Sequence, residues 1–352
     1  MIRQKMIYWF AFLLVIGCHK QPAATSTNTP ENITALPDSE SYSAEESTPE
    51  ESTNTKSSAE KSKVADTKDD CDERRENATW QDTTLYDLTY ACPPKGWDGF
   101  FKRKDVKEKI KKISDELEKQ VAEGNDISPK IGWTFRALYS APSDNARSLI
   151  MGQDPAPQPG LATGLSFSLA PDEPTGDVAS VQRVFLEVQN EQFCVNLDDG
   201  DLSKWAEDGV LLLNMALTIP CPHGATSCTI GGHLSLWQDF TGSLMDYVDT
   251  LDHPMAFILW GSKAGAFDKT VKNSKHKVFK GGHPSPRVSG KNFFCKNYFN
   301  CANKWLKENG AEAVEWNLIS SCEPSEPCIW SWSSSTRTSK CQSDCQMATC
   351  EE

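Results

Sequence analysis

The sequence predicts an α/β fold in which three α/β/α layers surround a central, mainly parallel, four-stranded sheet. Four short apolar runs lie between residues 148 and 282, and each ends at glycine, asparagine or a proline-containing turn. Amphipathic helical patterns lie between these runs. Strands that alternate with helices favour a parallel sheet whose two faces are both covered.

The first 18 residues are predicted to be an export signal. The basic sequence MIRQK precedes the apolar sequence MIYWFAFLLVIG, and Cys18 follows. This apolar run is short for a bilayer span and is typical of a signal peptide. Because LVIGC resembles a bacterial lipobox, we expect an exported lipoprotein that is tethered to a membrane through Cys18. The alternatives are a wrongly assigned start and a mitochondrial presequence.

Residues 19–76 are predicted to form a disordered acidic linker. Serine, threonine, proline and glutamate dominate this segment, and large apolar side chains are rare. Such a composition cannot bury enough apolar surface to offset the entropy lost on ordering the chain. The net charge of the whole chain is −13, which argues only weakly against nucleic acid as a partner because net charge averages over different faces.

The folded domain is predicted to span residues 77–321. Its first clear element is a helix at 102–124, where an apolar stripe recurs every three or four residues. The four apolar runs are too short for helices and are predicted to be strands. The strands are predicted at 148–152, 209–214, 255–261 and 276–282, and further helices at 177–192, 235–251 and 292–309.

Residues 322–352 are predicted to form a cysteine-rich tail. The chain contains 13 cysteines, and those beyond Cys18 are expected to form disulfides in an exported protein. Their spacings in the tail lack a C-x-x-C pair, so zinc is the weaker interpretation. Cys221, His223 and Cys228 could hold a metal, although a disulfide or free thiols are favoured in this loop. The disulfide pairing cannot be inferred from the spacing.

Polar or glycine-rich sequence follows each predicted strand. Asp154 follows the first strand in GQDP, Asn214 ends the second, Gly261 follows the third in WGS, and His283 follows the fourth in GGHPSP. Because ligands of parallel α/β sheets bind beyond the carboxyl ends of the strands, these ends should meet at one pocket. Phe167, in TGLSFSL, is the aromatic residue expected to join them.

These side chains are suited to a flat polar ring. Phe167 can stack on the face of the ring, and Asn214 can both donate to and accept from adjacent atoms on its edge. His283 can donate to an oxygen that gains negative charge, and Asp154 can orient water or stabilise a cation. The pattern pairs no second carboxylate with Asp154, which disfavours the two-acid mechanism of glycoside hydrolysis.

Four motifs resemble, in order, those of the family 1 uracil-DNA glycosylases: GQDPAPQPGLATGLSFS, GVLLLNMALT, FILWGS and GGHPSPRVSGKNFF. The resemblance covers roughly residues 95–317. It implies that the chain flips a uracil out of DNA and hydrolyses its N-glycosidic bond, with no metal or organic cofactor. It also implies that Asp154 and His283 are catalytic, facing the positive charge on the sugar and the negative charge on the base.

The same resemblance assigns the other site residues. Phe167 is expected to stack on uracil, Asn214 to select uracil over cytosine, and Gln153 to bind substrate beside the catalytic carboxylate. The residues expected to contact the DNA backbone are Ser180, Gly261, Ser262 and Ser285.

Two residues depart from the family pattern. Ala156 stands where the family normally has a tyrosine that excludes the methyl group of thymine, so we expect relaxed exclusion of thymine and 5-substituted uracils. Arg287 stands where the family normally has a leucine that wedges into the base stack. We therefore expect Arg287 to bind DNA but to favour single-stranded over duplex substrate.

Residues 271–300 form a basic run in an otherwise acidic chain. The run contains no Asp or Glu, and its charged residues are Lys272, Lys275, Lys277, Lys280, Arg287, Lys291 and Lys296. A basic patch of this kind is suited to contact with DNA phosphates.

The sequence therefore predicts a monomeric, membrane-tethered uracil-DNA glycosylase whose partner is single- or double-stranded DNA that contains uracil. One alternative is a surface lipoprotein that uses the same scaffold to bind DNA or free bases without turnover. Another is a surface lipoprotein whose activity resides in its tail. An intracellular location in the cytoplasm, nucleus or mitochondrion, as is usual for the family, is the alternative to export.

Overall fold

A computed structural model of the protein describes residues 68–287 and 292–350. The predicted export signal and most of the predicted linker lie outside these ranges. The helices are α1 (Lys68–Asn77), α2 (Leu85–Ala91), α3 (Asp98–Phe101), α4 (Lys104–Ala122), α5 (Arg136–Ser140), α6 (Ala179–Asn190), α7 (Ser203–Glu207), α8 (Leu234–Val248), α9 (Gly261–Gly265) and α10 (Tyr298–Glu308). The strands are β1 (Asp126–Ser128), β2 (Ser148–Gly152), β3 (Val210–Asn214), β4 (Ile219–Cys221), β5 (Met255–Trp260), β6 (His276–Gly281), β7 (Cys328–Ser333) and β8 (Thr338–Asp344). In this part of the chain, no helix is both long enough and apolar enough to cross a membrane.

Four strands form the central sheet, in which each strand runs parallel to its neighbours. Their order is β3-β2-β5-β6. The register places Gly152 beside Asn214 and Trp260 beside Gly281, so the strands end at a common carboxyl edge. The four predicted strands and the parallel sheet are confirmed, with boundaries that differ by at most one residue.

Burial explains why three of these strands are continuous apolar runs. Every residue of β2, β3 and β5 is buried, which a parallel strand achieves when helices cover both faces of its sheet. The edge strand β6 instead carries the exposed side chains of Lys277 and Lys280. The predicted three-layer α/β/α class is thereby confirmed.

The predicted helices are present, with differences at their ends. In α4, the apolar stripe formed by Val106, Ile110, Ile113 and Leu117 is buried. The patterns at 177–192 and 235–251 correspond to α6 and α8. The pattern at 292–309 corresponds to α10, which begins only at Tyr298 because the preceding turn has residues at positive φ.

Two buried carboxyl groups hold the start of α10. One belongs to Glu187 in α6, and the other belongs to Glu191, which directly follows α6. Glu191 accepts hydrogen bonds from the backbone N–H groups of Phe299 and Asn300, both at 2.8 Å. Glu187 accepts one from the Cys295 N–H at 2.9 Å. Burial raises the pKa of Glu187 to about 7. Burial also raises the pKa of Glu191, and the charge of Glu187 raises it further.

The structure differs from the predicted linker at its C-terminal end, where α1 is helical. The sequence of α1, KDDCDERREN, is polar, so no apolar periodicity distinguishes it from the linker composition. A disulfide joins Cys71 to Cys92 after α2. The Arg75 guanidinium also lies 4.4 Å from the centre of the Tyr139 ring. These contacts fix a helix that the local sequence pattern does not reveal.

Two small antiparallel sheets were also outside the sequence prediction. β1 pairs with β4, so that Ile127 lies opposite Pro220. β7 pairs with β8 to form a hairpin in the predicted tail. Strands of three residues are too short to show alternation, and most residues of the hairpin are at least partly exposed.

Disulfides attach the segment after residue 321 to the preceding domain. Its hairpin packs beside α6, where the Asn190 side chain donates to the Cys328 carbonyl and accepts from the Cys328 N–H, both at 3.0 Å. All twelve cysteines in the described residues are paired, as Cys71–Cys92, Cys194–Cys322, Cys221–Cys228, Cys295–Cys345, Cys301–Cys350 and Cys328–Cys341.

Candidate active site

Asn214 ends β3 and lies against the end of β2. Position 152 requires glycine, because a Cβ there would collide with Asn214 Oδ1 and with the Ser166 side chain. Beyond the strand, the Met215 N–H donates to the Gly152 carbonyl at 2.9 Å. Asn214 is only 3% exposed, and its Oδ1 atom has no hydrogen-bond partner among the described residues. A buried acceptor that is left open in this way can receive a donor from a ligand.

Phe167 follows Ser166, whose hydrogen bonds tie it to β2 and β3. The Ser166 N–H donates to the Leu212 carbonyl at 2.9 Å, and its hydroxyl donates to the Ile150 carbonyl at 3.1 Å. These bonds anchor Phe167, whose φ of +59° is unusual for a bulky residue. The Phe167 ring meets the Trp260 ring edge-to-face, with ring centres 5.4 Å apart. The aromatic side chain is therefore supported by the core at the sheet edge.

Asp154 lies two residues beyond β2 and is partly buried. Its Oδ2 atom accepts hydrogen bonds from the Gln153 side-chain amide and from the Gly231 backbone N–H, the latter at 3.1 Å. Its Oδ1 atom is buried and finds no partner within the described ranges. Burial raises the pKa of Asp154, whereas the two hydrogen bonds and the charge of Lys263 oppose that rise. The carboxyl group is thus anchored through one oxygen and open at the other.

One tautomer of neutral His283 fits its surroundings. The Ser285 backbone N–H donates to His283 Nδ1 at 2.9 Å, so Nδ1 is an acceptor and the ring proton lies on Nε2. Burial lowers the pKa of His283, and the positive charge of Lys263 lowers it further. His283 is therefore mainly neutral at neutral pH and presents Nε2–H as a donor.

Gly261 allows the end of β5 to approach His283 closely. Its φ is +81°, and a Cβ at this position would lie 2.9 Å from the His283 Cβ and 3.0 Å from its Cδ2. Those distances are shorter than ordinary carbon contacts. Gly261 therefore packs against the candidate catalytic histidine, and Ser262 follows it, exposed, in α9.

Lys263 is a site residue that the sequence analysis missed. It lies in α9 and is exposed, yet its charge affects the pKa of both Asp154 and His283. Asp154 follows β2 and His283 follows β6, both at the carboxyl edge of the central sheet. Lys263 directly follows Gly261 and Ser262 in WGSK. No sequence pattern distinguishes a lysine in a short exposed helix from other surface lysines, so Lys263 was not predicted.

Ala156 lies in the segment that carries Asp154 and is partly buried. Pro155 before it is buried, and the carbonyl of Pro157 after it accepts a hydrogen bond from the Cys228 N–H at 2.7 Å. The backbone around Ala156 is therefore fixed, while its side chain fills little space.

The predicted DNA contacts lie on two other segments. Ser180 is in the first turn of α6. The turn before it is tied to the Asp154 segment, because the Gln158 side chain donates to the Asp177 carbonyl at 3.1 Å. Arg287 is exposed, and its backbone N–H donates to the Ser285 hydroxyl at 3.4 Å.

Acids from other segments partly neutralise the predicted basic run. Lys275 pairs with Asp252, and Lys280 pairs with Asp268. Lys291 lies outside the described residues. The run is therefore less basic in the fold than its composition indicates, because the neutralising acids come from outside residues 271–300.

The loop with Cys221, His223 and Cys228 is held by a disulfide, as favoured by the sequence. Cys221 and Cys228 are bonded to each other, so neither offers a thiolate to a metal. His223 is exposed, and its Nδ1 lies 3.5 Å from the Asp126 carboxylate. Across residues 68–287 and 292–350, no group of three or more His, Cys, Asp or Glu side chains is placed to hold a metal ion.

Sequence comparisons find relatives over this same part of the chain. The family model described as "Uracil DNA glycosylase superfamily" matches residues 139–307. A uracil-DNA glycosylase of Azotobacter vinelandii is 35% identical over 221 residues, which cover 62% of this chain and 89% of that protein. A uracil-DNA glycosylase of Agathobacter rectalis is 36% identical over 193 residues, which cover 54% of this chain and 83% of that protein.

Comparison with solved structures finds the same fold. The crystal structure of mimivirus uracil-DNA glycosylase superposes with a TM-score of 0.57 at 22% sequence identity, covering 63% of this chain and 86% of that chain. At this level of identity, the likeness concerns the arrangement of strands and helices. The superposed part leaves out about a third of the present chain.

Proposed function

This chain belongs to the uracil-DNA glycosylase superfamily, and from that premise we propose that it hydrolyses the N-glycosidic bond of uracil in DNA and leaves an abasic site. The observation that carries the proposal is the set of open polar atoms at the carboxyl edge of the sheet. These are the unpartnered Oδ1 atoms of Asn214 and Asp154 and the Nε2–H that the Ser285 contact leaves on His283.

Asn214 and Phe167 supply base recognition. Uracil carries an N–H donor at N3 beside an oxygen acceptor at O4, and a primary amide offers the complementary acceptor and donor. The open Asn214 Oδ1 is suited to the N3–H group. Phe167 provides an aromatic surface on which a flipped base can stack. A base within a duplex cannot reach this edge, so extrusion must precede binding.

Asp154 and His283 act on the two charges that develop as the bond breaks. Positive charge grows on the sugar and negative charge on the uracil, so the open oxygen of Asp154 stabilises the first or orients the attacking water. The Nε2–H of His283 donates to the uracil oxygen that gains the second. Preorganised groups of this kind are each worth about 3–4 kcal/mol of transition-state stabilisation.

The mechanism uses Asp154 in its ionised form and His283 in its neutral form. Burial raises the pKa of Asp154, so its useful, ionised form is lost as the pH falls through that raised value. Burial lowers the pKa of His283, so its neutral form persists to lower pH. The rate is therefore expected to decline on the acid side as Asp154 takes up a proton.

An abasic-site assay tests turnover directly. A single-stranded uracil oligonucleotide is incubated with enzyme and then treated with alkali, which cleaves the strand at abasic sites. We expect cleavage with the wild-type protein and a rate at least about 100-fold lower with Asp154→Asn. The exposed Asp144→Asn is the matched control and should retain full activity. Binding of the oligonucleotide without any strand cleavage would instead support the non-catalytic alternative.

Relaxed exclusion of thymine is a finer part of the proposal. It is supported by Ala156, whose small side chain stands in the fixed segment beside Asp154, where the family normally has a tyrosine. A pocket excludes a methyl group only by steric contact, which is worth about 1–3 kcal/mol. Without that wall, thymine should be rejected less strongly than in relatives that have the tyrosine.

We also propose that the enzyme works in an oxidising compartment and that a lipid on Cys18 tethers it to a membrane. The six disulfides among the described residues support the first part, because such bonds rarely persist in a reducing cytosol. Cys18 itself lies outside the described residues. Fractionation of the native cells should recover the protein in the membrane fraction, whereas cytosolic protein with free thiols would contradict the proposal.

A further inference from the structure

We propose that the segment from β4 to Gly231, closed by the Cys221–Cys228 disulfide, is a positioning device for Asp154. The segment holds the carboxyl group in its reactive orientation and keeps it ionised. This inference rests on the proposed glycosylase activity and adds a part of the chain that is distant in sequence from the Asp154 motif.

The first contact is a backbone hydrogen bond to the carboxylate itself. The Gly231 N–H donates to Asp154 Oδ2 at 3.1 Å. The other bond to this oxygen comes from the side chain of the adjacent Gln153. Gly231 has φ +78°, a conformation natural to glycine. Because a backbone donor cannot rotate independently, only the fold of its segment can aim it at the carboxylate.

The second contact comes from the disulfide residue. The Cys228 N–H donates to the Pro157 carbonyl at 2.7 Å, three residues beyond Asp154. The Thr229 N–H donates to the Pro220 carbonyl at 2.8 Å, so the chain returns beside β4 before it reaches Gly231. The segment therefore contacts the Asp154 motif at two points.

The disulfide and two further anchors hold the segment in place. Cys221 and Cys228 are seven residues apart and are 6% and 4% exposed. At one end, β4 pairs with β1. At the other end, the buried His233 ring lies between the Thr218 hydroxyl and the Gln120 side chain, with both contacts at 2.8 Å. Without the disulfide, residues 222–230 would be held only by the anchors at their ends and by the backbone hydrogen bonds of Cys228 and Thr229.

Loosening the segment should have two separate effects. The Asp154 carboxyl would lose one of its two hydrogen bonds and would sample orientations that do not face the substrate. It would also lose an interaction that lowers its pKa, so that protonation would begin at higher pH. A structural change far from the site would neither lower kcat selectively nor shift the acidic side of the pH–rate profile.

The test replaces both cysteines by serine and measures steady-state excision of uracil over a range of substrate concentrations and pH values. For Cys221→Ser/Cys228→Ser we expect kcat to fall by about tenfold or more, the factor that corresponds to one hydrogen bond to a charged group. KM should change little, because Asn214 and Phe167 are untouched. The acid limb of kcat should move to higher pH. Cys328→Ser/Cys341→Ser, which opens the hairpin disulfide, is the matched control. It should change neither kcat nor the dependence of kcat on pH.

A double-mutant cycle separates positioning from general destabilisation. In an Asp154→Asn background, opening the Cys221–Cys228 disulfide should alter the residual rate by less than about twofold, because the group that it positions is already lost. Equal losses in both backgrounds, or an unchanged acid limb, would overturn the proposal. If the double serine variant does not fold, Gln120→Ala loosens the His233 anchor and is judged by the same two readouts. Wild-type protein without activity would instead refute the proposed function.

Discussion

Two neighbours define the chemistry that His283 can perform. The Ser285 N–H occupies Nδ1 at 2.9 Å, and Gly261 leaves room for the ring where any Cβ would be too close. The imidazole is thereby presented as a neutral Nε2–H donor, whose strength lies in stabilising negative charge rather than in delivering a full positive charge. Gly261 and Ser285, which are predicted to contact DNA, thus also hold the candidate catalytic histidine in place.

Placing a bulky side chain at position 156 should increase the selectivity for uracil over thymine. Ala156→Tyr is expected to lower thymine excision relative to uracil excision by about 10- to 200-fold, the range for rejecting one methyl group by contact. Single-turnover rates on matched oligonucleotides that carry uracil or a mismatched thymine measure the ratio. Ala156→Ser adds little volume and should leave the ratio unchanged. A wild-type enzyme that already rejects thymine as strongly as Ala156→Tyr would contradict the prediction.

The positions of the central candidate residues at the strand ends could be predicted, but some of their hydrogen-bond and charge partners could not. Asp154, Asn214 and His283 each follow a strand that is recognisable from its apolar run, and their motifs resemble a known family. Gly231 contributes a backbone N–H, which every residue except proline carries, so its sequence gives no signal. Lys263 affects the site through its charge rather than through a motif.

The helix α6 contributes both to packing and to the start of α10. Glu187 is 0% exposed and Glu191 is 3% exposed, yet each accepts backbone hydrogen bonds from the turn and first residues around α10. Burying two carboxyl groups costs free energy because they lose their contacts with water. The fold tolerates this cost because the carboxyl groups bond to backbone N–H groups, and because their raised pKa values favour the neutral acids.

Glu187 should make stability depend on pH near neutrality. Its pKa rises from an ordinary 4.5 to about 7 in the folded protein, so the folded state binds the proton more tightly than the unfolded state. Its contribution to stability is therefore present below pH 4.5 and is lost as the pH rises to about 7, a change on the order of 3 kcal/mol. Glu187→Gln should flatten that decline in urea unfolding series from pH 4.5 to 8.

The exposed Glu108→Gln in α4 is the control for this experiment and should keep the wild-type dependence on pH. Glu191 remains in both variants, so some slope should persist. A Glu187→Gln protein whose free energy of unfolding declines with pH as steeply as that of the wild type would show that Glu187 titrates normally.

The loop from His283 to Arg287 should determine the preference between DNA forms. Arg287 is exposed at its end, and a guanidinium is a poorer wedge into stacked bases than an apolar side chain. Arg287→Leu is expected to raise the duplex rate relative to the single-strand rate by about tenfold, since unstacking a step costs a few kcal/mol. Excision assays on the same uracil sequence, single-stranded and paired, give the ratio.

Lys277→Leu removes a positive charge from the neighbouring edge strand and serves as the matched control. It should weaken binding to both forms of DNA similarly, because phosphate contacts carry no preference for base stacking. An unchanged ratio in Arg287→Leu would show that the loop does not open the duplex.

Long apolar elements were predictable, whereas short or polar ones were not. β2, β3 and β5 are buried throughout, so their sequences are continuous apolar runs, and α4 displays a regular stripe. α1 has no such stripe, since a disulfide and the Arg75–Tyr139 contact hold it. β7 is mostly half-buried and β8 is mostly exposed. Both strands depend on the Cys328–Cys341 bond and on Asn190, neither of which is visible as a local pattern.

Disulfides cross-link the described part of the chain from Cys71 to Cys350. Disulfides join residues close in sequence, such as Cys221 and Cys228, and residues far apart, such as Cys194 and Cys322. The number of cysteines indicated disulfides, but the pairs depend on which segments the fold brings together. The predicted division between domain and tail is therefore a division in composition, and the two are covalently one unit.

The long-range disulfide should stabilise the protein more than the hairpin disulfide. Cys194–Cys322 spans 128 residues and Cys328–Cys341 spans 13, and a longer closed loop removes more entropy from the unfolded chain. Cys194→Ala/Cys322→Ala should lower the free energy of unfolding by about 1–2 kcal/mol more than Cys328→Ala/Cys341→Ala. Urea unfolding of the two double variants makes the comparison, and equal losses would contradict it.

The bonds from Cys295 to Cys345 and from Cys301 to Cys350 impose an order on maturation. Ribosomes make a polypeptide from its N-terminus onward, so α10 is synthesised well before its covalent partners. The sheet can assemble while Cys301 is still a free thiol, and the last disulfide can close only after residue 350 has been added. A nascent chain arrested before residue 345 would carry all four strands of the central sheet together with unpaired thiols at Cys295 and Cys301.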